Sequence, residues 1–84
     1  APDLVVEVLS PSTRKKDMSV KLAKYMGAGV REYWIVDPRR KIVTVNYFEG
    51  NLLNLQYSFD SVIKVNMYED LLINFSEIAD ILST

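Results

Sequence analysis

The chain has 84 residues, a net charge of −1, and neither cysteine nor histidine. Disulfides, thiolate nucleophiles, Ser-His-Asp catalysis and Cys- or His-ligated metals are therefore excluded within it. Chemistry is left to carboxylates, Lys, Tyr, hydroxyls, or a hard cation held by oxygen, for which Mg²⁺ (or Mn²⁺ in its place) is the natural choice.

With 49% hydrophobic and 25% charged residues, the composition is that of a water-soluble folded domain. No apolar run approaches the length of a bilayer span and no signal-peptide pattern opens the chain, so a cytoplasmic setting is expected. The length allows one domain with a modest core. Because Ala1 already stands in a strand-like run, residues 1–84 are expected to form a single partial domain, truncated at its N-terminus. Charge is unevenly spread. Residues 1–41 hold nine Lys/Arg against five Asp/Glu, a net +4, and residues 42–84 hold one against six, a net −5. A basic half of this kind can face phosphate, although a solvated charge distribution explains it as well.

Residues 3–9 read as a first strand, with Leu4, Val6 and Val8 on one face and Val5, Glu7 and Leu9 on the other. Both faces are mostly apolar, which suits a central strand covered on both sides. "SPST" ends it, and Thr13 or Asp17 can cap a helix that runs to about Ala28 and stops at "GAG". "EYWIVD", residues 32–37, reads as a second strand, and Pro38 with Arg39, Arg40 and Lys41 turns into a third, Ile42–Phe48. "EGN" signals a hairpin, with Leu52–Phe59 pairing back as a fourth strand. From Val62 to Ile73 the signal is weak: "VIKV" fits a short strand, and "MYEDLLI" fits either loop or helix. Ser76 caps a terminal helix, "SEIADIL". The long link between the first two strands permits parallel pairing, whereas the hairpin is antiparallel. An α/β fold with a mixed sheet flanked by helices is expected.

Glu7 is the residue that demands a physical account. An ionised carboxylate in a covered strand costs several kcal/mol unless it is ion-paired, protonated, bound to a metal, or set at the open end of the sheet. A structural salt bridge and a functional site are about equally good explanations on these grounds. Asp3 lies on the same face but four residues away, about 13 Å along a strand. That is too far for the two carboxylates to share one Mg²⁺, whose ligand oxygens lie about 2.1 Å from the ion. In the helix, Asp17, Lys21 and Tyr25 recur at steps of four and form one polar stripe, beside an apolar stripe of Met18, Leu22 and Met26. Pattern alone favours an exposed ion pair between Asp17 and Lys21. If the stripe borders the first strand, Lys21 instead meets Glu7. Arg14, Lys15 and Lys16 form a basic run beyond the strand, a common place for ligand sites, although a solvated charge cluster is the better reading of it.

The run "PDLVVEVLSPST", followed by "KLAKYMGAGVREYWIVDP", resembles the Uma-type endonucleases, a branch of the PD-(D/E)xK restriction-endonuclease-like superfamily. The likeness covers Ala1 to about Phe48. It implies a mixed sheet with flanking helices and Mg²⁺-dependent hydrolysis of a DNA phosphodiester. On that resemblance the acid of the (D/E)xK element is Glu7, a metal ligand. The lysine position two residues on is Leu9, so the plain pattern is broken, and Lys21 matches a relocation of that lysine onto the following helix, with Tyr25 as an assisting residue. The superfamily's metal-binding Asp would stand on a strand upstream of Ala1. The 84-residue piece is then expected to be inactive alone and to self-associate as a homo-oligomer through exposed sheet edges. An alternative is a non-catalytic interaction module that keeps the fold without the chemistry, as Leu9 at the motif-lysine position suggests.

Overall fold

The second strand organises the molecule. In a computed structural model, which describes residues 2–12, 15–49, 53–66 and 70–82, β2 (Glu32–Asp37) has five consecutive buried residues, Glu32 to Val36. It lies between β1 (Leu4–Val8) and β3 (Ile42–Tyr47), with β4 (Leu53–Ser58) beyond, in the order β1-β2-β3-β4. β1 runs parallel to β2, with Val6 opposite Trp34 and Glu7 opposite Ile35. β2–β3 and β3–β4 are antiparallel. A mixed sheet follows from the chain order, because helix α1 (Lys15–Gly27) carries the chain back between β1 and β2 while tight turns join the later strands.

A chain reversal with a defined geometry ends α1. Gly29 takes a positive φ of 85°. The Gly29 N–H bonds to the Met26 carbonyl and the Val30 N–H to the Tyr25 carbonyl, 3.3 and 3.1 Å. This is the Schellman pattern, which requires a residue tolerant of left-handed backbone at that point. Val30, buried at 3% exposure, locks the exit into β2.

The two faces of the sheet differ in kind. One carries Trp34, Val36, Val43 and Val45, which form the core with Phe59, Ile63, Val65 and Phe75. These last four come from a second, two-stranded antiparallel sheet, β5 (Val62–Lys64) with β6 (Leu72–Asn74), and from the segments around it, including the start of α2 (Phe75–Leu82). The other face carries Glu7, Tyr33 and Asn46 and receives α1. Asn46, almost fully buried, donates to the Tyr33 carbonyl (3.2 Å) and accepts from Asn54 (2.6 Å), tying β2, β3 and β4 together.

Three details differ from the sequence reading. β1 is an edge strand among the described residues, with Val6 and Val8 half exposed at 50% and 49%, rather than a covered central strand. Leu72–Asn74 is a strand, which its two exposed residues disguise. α2 begins at Phe75, one residue earlier than expected, so Asn74 occupies the capping position and its Oδ1 accepts from the Ser76 hydroxyl, 2.6 Å. Among the described residues the one fully buried acid is Glu32, at the start of β2 on the core face. It accepts from Trp34 Nε1 (2.6 Å) and Asn66 Nδ2 (3.4 Å). Among the described residues no helix is long and apolar enough to cross a membrane.

Ile63 is completely buried where the small sheet meets the large one. Ile63→Ala should cost roughly 2–5 kcal/mol, read as a lowered urea midpoint in the fluorescence of buried Trp34. A midpoint equal to that of the unaltered chain would mean that the small sheet is not seated on this core.

Candidate active site

Glu7 points to the α1 face of the sheet, near the C-terminal end of β1. Its side chain is 22% exposed. Lys21, at the middle of α1, reaches down so that Nζ donates to Glu7 Oε1. Tyr33, on the neighbouring strand and wholly buried, donates its phenol to Glu7 Oε2 at 2.9 Å. Each carboxylate oxygen thus has one protein donor and keeps further lone-pair capacity.

Electrostatics fix the protonation states. Burial pushes the Glu7 carboxyl up, but the hydrogen bonds from Lys21 and Tyr33 and the Lys21 charge outweigh it, holding Glu7 below the ordinary 4.5. The hydrogen bond to Glu7 raises Lys21 above its ordinary 10.5. Burial, and then the hydrogen bond to Glu7, push the Tyr33 phenol far above its ordinary 10.0. At neutral pH the site is therefore a carboxylate, an ammonium and a neutral phenol. Neither Lys21 nor Tyr33 can serve as a general base there.

The structure brings Glu7 and Lys21 together, and Lys21 spends its charge on the strand acid rather than on Asp17, which is exposed. Lys21 and Tyr25 of the polar stripe face the sheet, while Met26 of the apolar stripe is 45% exposed. Tyr25 does not bond to Glu7. Its ring lies against that of Tyr33, with centroids 4.8 Å apart and planes tilted by 55°, a favourable edge-type contact. Tyr33 is the site residue that sequence reasoning missed. The signal was available: in a parallel pair, the residue two before Glu7's partner Ile35 lies diagonally beside Glu7 on the same face. Asp3 stays away, its side chain 58% exposed and 4.0 Å from Arg31. Arg14 lies outside the described residues.

The residues that meet at Glu7 do not by themselves make a cation site. Among the described residues no group of three or more acidic, His or Cys side chains is placed to hold a metal ion. Glu7 supplies one carboxylate, where Mg²⁺ is usually bound through one or two together with substrate phosphate and water.

A model of the Uma2 family, described as "Putative restriction endonuclease", matches residues 1–75. The chain belongs to the Uma2 family. The fold is similar to that of a crystal structure from Anabaena variabilis ATCC 29413 described as "a putative nuclease belonging to DUF820". The two superpose with a TM-score of 0.71 at 20% identity, over 95% of this chain and 45% of that one. The chain thus spans less than half the length of that neighbour. No curated protein matches it. The α/β fold with a mixed sheet is the nuclease-like one expected from the two sequence blocks, and both blocks lie within the matched residues.

Acid should unmake the site. A carboxylate whose pKa is depressed on folding contributes stability that is present above the unfolded value and lost as pH falls through the folded one. Glu7, Glu49 (held down by its hydrogen bond from Arg31) and Asp60 (by the Ser58 hydroxyl) all behave this way. Unfolding free energy should therefore fall below about pH 4.5, and Glu7→Gln should flatten that fall without removing it. Tyr33→Phe keeps the ring and loses the donor. It should cost about 1 kcal/mol at pH 7 and raise the Glu7 pKa, both measurable by urea titration across pH.

Proposed function

We propose that the protein is a metal-dependent endonuclease that hydrolyses DNA phosphodiesters, with Glu7 and Lys21 as its working side chains. The observation that carries this reading is the Lys21–Glu7 pair on the α1 face, in a chain of the Uma2 family. A strand carboxylate at the family's acid position and a lysine from the next helix are brought to one point by the βα crossover.

Glu7 is proposed as one ligand of Mg²⁺, or Mn²⁺ in its place, with the remaining protein ligand outside the described residues. β1 has a side unpaired among those residues, where another strand has room to bring a second carboxylate to Glu7. When bound, such an ion polarises a phosphodiester and acidifies water. Lys21 stays charged because Glu7 holds its proton. Its role is then to offset negative charge building on the phosphate and to orient the attacking water, rather than to abstract a proton. Tyr33 keeps Glu7 ionised and fixed in rotamer, and Tyr25 packs the ring that does so. An isolated chain with β1 uncovered would self-associate through that edge.

The second reading is an interaction module with the nuclease fold and no chemistry. It is favoured by Leu9 at the motif-lysine position and by the single carboxylate at the site. Cleavage of supercoiled DNA by the full-length protein separates the two. The nuclease reading expects nicking that needs Mg²⁺ and falls at least a hundredfold in Glu7→Gln, about the scale on which a lost catalytic charge acts. Nicking that survives Glu7→Gln unchanged would overturn it. Mg²⁺ binding that is absent by calorimetry, together with no nicking, would support the module.

A further inference from the structure

We propose that the end of the sheet formed by the start of α1 and the β2–β3 turn is a docking surface for the phosphate backbone of duplex DNA. The proposal rests on the nuclease reading and assigns the residues that would hold the substrate.

The charge asymmetry of the sequence becomes directional in the fold. β1 and β2 are parallel, so the C-terminal ends of both lie at one end of the sheet, together with the start of α1 and the β2–β3 turn. That end carries Arg39, Arg40 and Lys41 in the turn, three of the ten Lys and Arg of the chain. The acids at that end are Glu7, Asp17, Asp37 and Asp60. Three of these are engaged: Glu7 accepts from Lys21 and Tyr33, Asp37 Oδ1 accepts the backbone N–H groups of Arg39 (3.1 Å) and Arg40 (3.2 Å), and Asp60 accepts the Ser58 hydroxyl.

The opposite end gives the contrast. There Arg31 is bonded to Glu49 through Nε and lies beside Asp3. The side chains of Arg39, Arg40 and Lys41 are exposed and have no ionic partner among the described residues. Their backbone, however, is fixed. The Asp37 side chain clamps the turn, and Lys41 is held at φ 55°, a left-handed conformation that a lysine adopts only where the surrounding structure imposes it. Local stability does not explain the cations of this turn, and a conflict of that kind marks a functional constraint.

The exposed cations favour a polyanionic backbone as the partner, and the spacing fits that of duplex DNA. Glu7 is level with Ile35, and from Ile35 to the turn is three or four residues, about 10–13 Å along a strand. Each DNA strand carries a phosphate every ~3.4 Å of helix axis. A duplex with one phosphate at Glu7 and Lys21 would therefore set phosphates about three positions away against the turn. Contacts there bind and position without reading sequence.

The test measures binding of a short labelled duplex by the full-length protein carrying Glu7→Gln, across about 50 to 200 mM salt. The slope of log affinity against log salt should become shallower by roughly 1.8 in Arg39→Gln/Arg40→Gln, at ~0.9 per phosphate contact, and by roughly 0.9 in Lys41→Gln. Arg39→Lys/Arg40→Lys should keep the slope, as should Lys64→Gln on β5. An unchanged slope in both Gln variants, or no duplex binding by the parent protein, overturns the proposal. Failure of the nuclease reading shows elsewhere, as undiminished nicking by the Glu7→Gln protein.

Discussion

A carboxylate held between an ammonium and a phenol is the constraint around which one whole face of this sheet is arranged. Glu7 stands on an edge strand, Lys21 on the helix that follows, and Tyr33 on the strand that the helix leads to. Each segment of the βαβ unit therefore contributes one group, and the three meet only if the crossover is built as it is. Partial burial penalises the carboxylate, and the two donors reverse that penalty, so the acid titrates below its ordinary value in a place where burial alone would push it up. Glu7 in turn holds the protons of Lys21 and, together with burial, of Tyr33, so neither group is deprotonated at neutral pH. The site is a fixed pattern of charge rather than a proton relay.

The rest of the fold serves to keep that pattern rigid. The opposite face of β2 is closed by Trp34 and Val36 against Phe59, Ile63, Val65 and Phe75, so the strand bearing Tyr33 cannot shift without opening the core. Asn46 and Asn54 bind the strands laterally on the α1 face, and Asn46 grips the Tyr33 carbonyl directly. On the core face the buried Glu32 carboxylate, bonded by Trp34 and Asn66, joins the main sheet to the segment after β5. Losing one partner of such a buried charge is far costlier than losing an exposed pair.

Much of this was legible in the sequence, and the failures have physical causes. The first four strands and α1 declare themselves through apolar runs, "GAG" and the hairpin signal. β6 does not, because three residues with two exposed leave no alternation to read. β1 reads as covered on both faces because its residues are apolar on both. In the described chain it has a neighbour on one side only, and composition cannot tell a buried face from one that awaits a partner. The approach of Lys21 to Glu7 was one of two options, since an i, i+4 acid also competes for it. Local pattern favoured Asp17, and tertiary packing chose Glu7. Tyr33 was hidden inside "EYWIVD", where an aromatic residue reads as core and its hydroxyl goes unnoticed. The basic end was visible only as a surplus in one half of the sequence until the fold set the β2–β3 turn at one end of the sheet.

The central claim is that Glu7 is an ionised carboxylate kept so chiefly by Lys21. A carbon-13 NMR titration of the Glu7 side-chain carboxyl, in the unaltered protein and in Lys21→Met, measures it directly. The account predicts a midpoint below 4.5 in the first and a clear upward move in the second, where burial acts with only Tyr33 to oppose it. A midpoint at or above the ordinary glutamate value in the unaltered protein, or no movement on removing the amine, would contradict it.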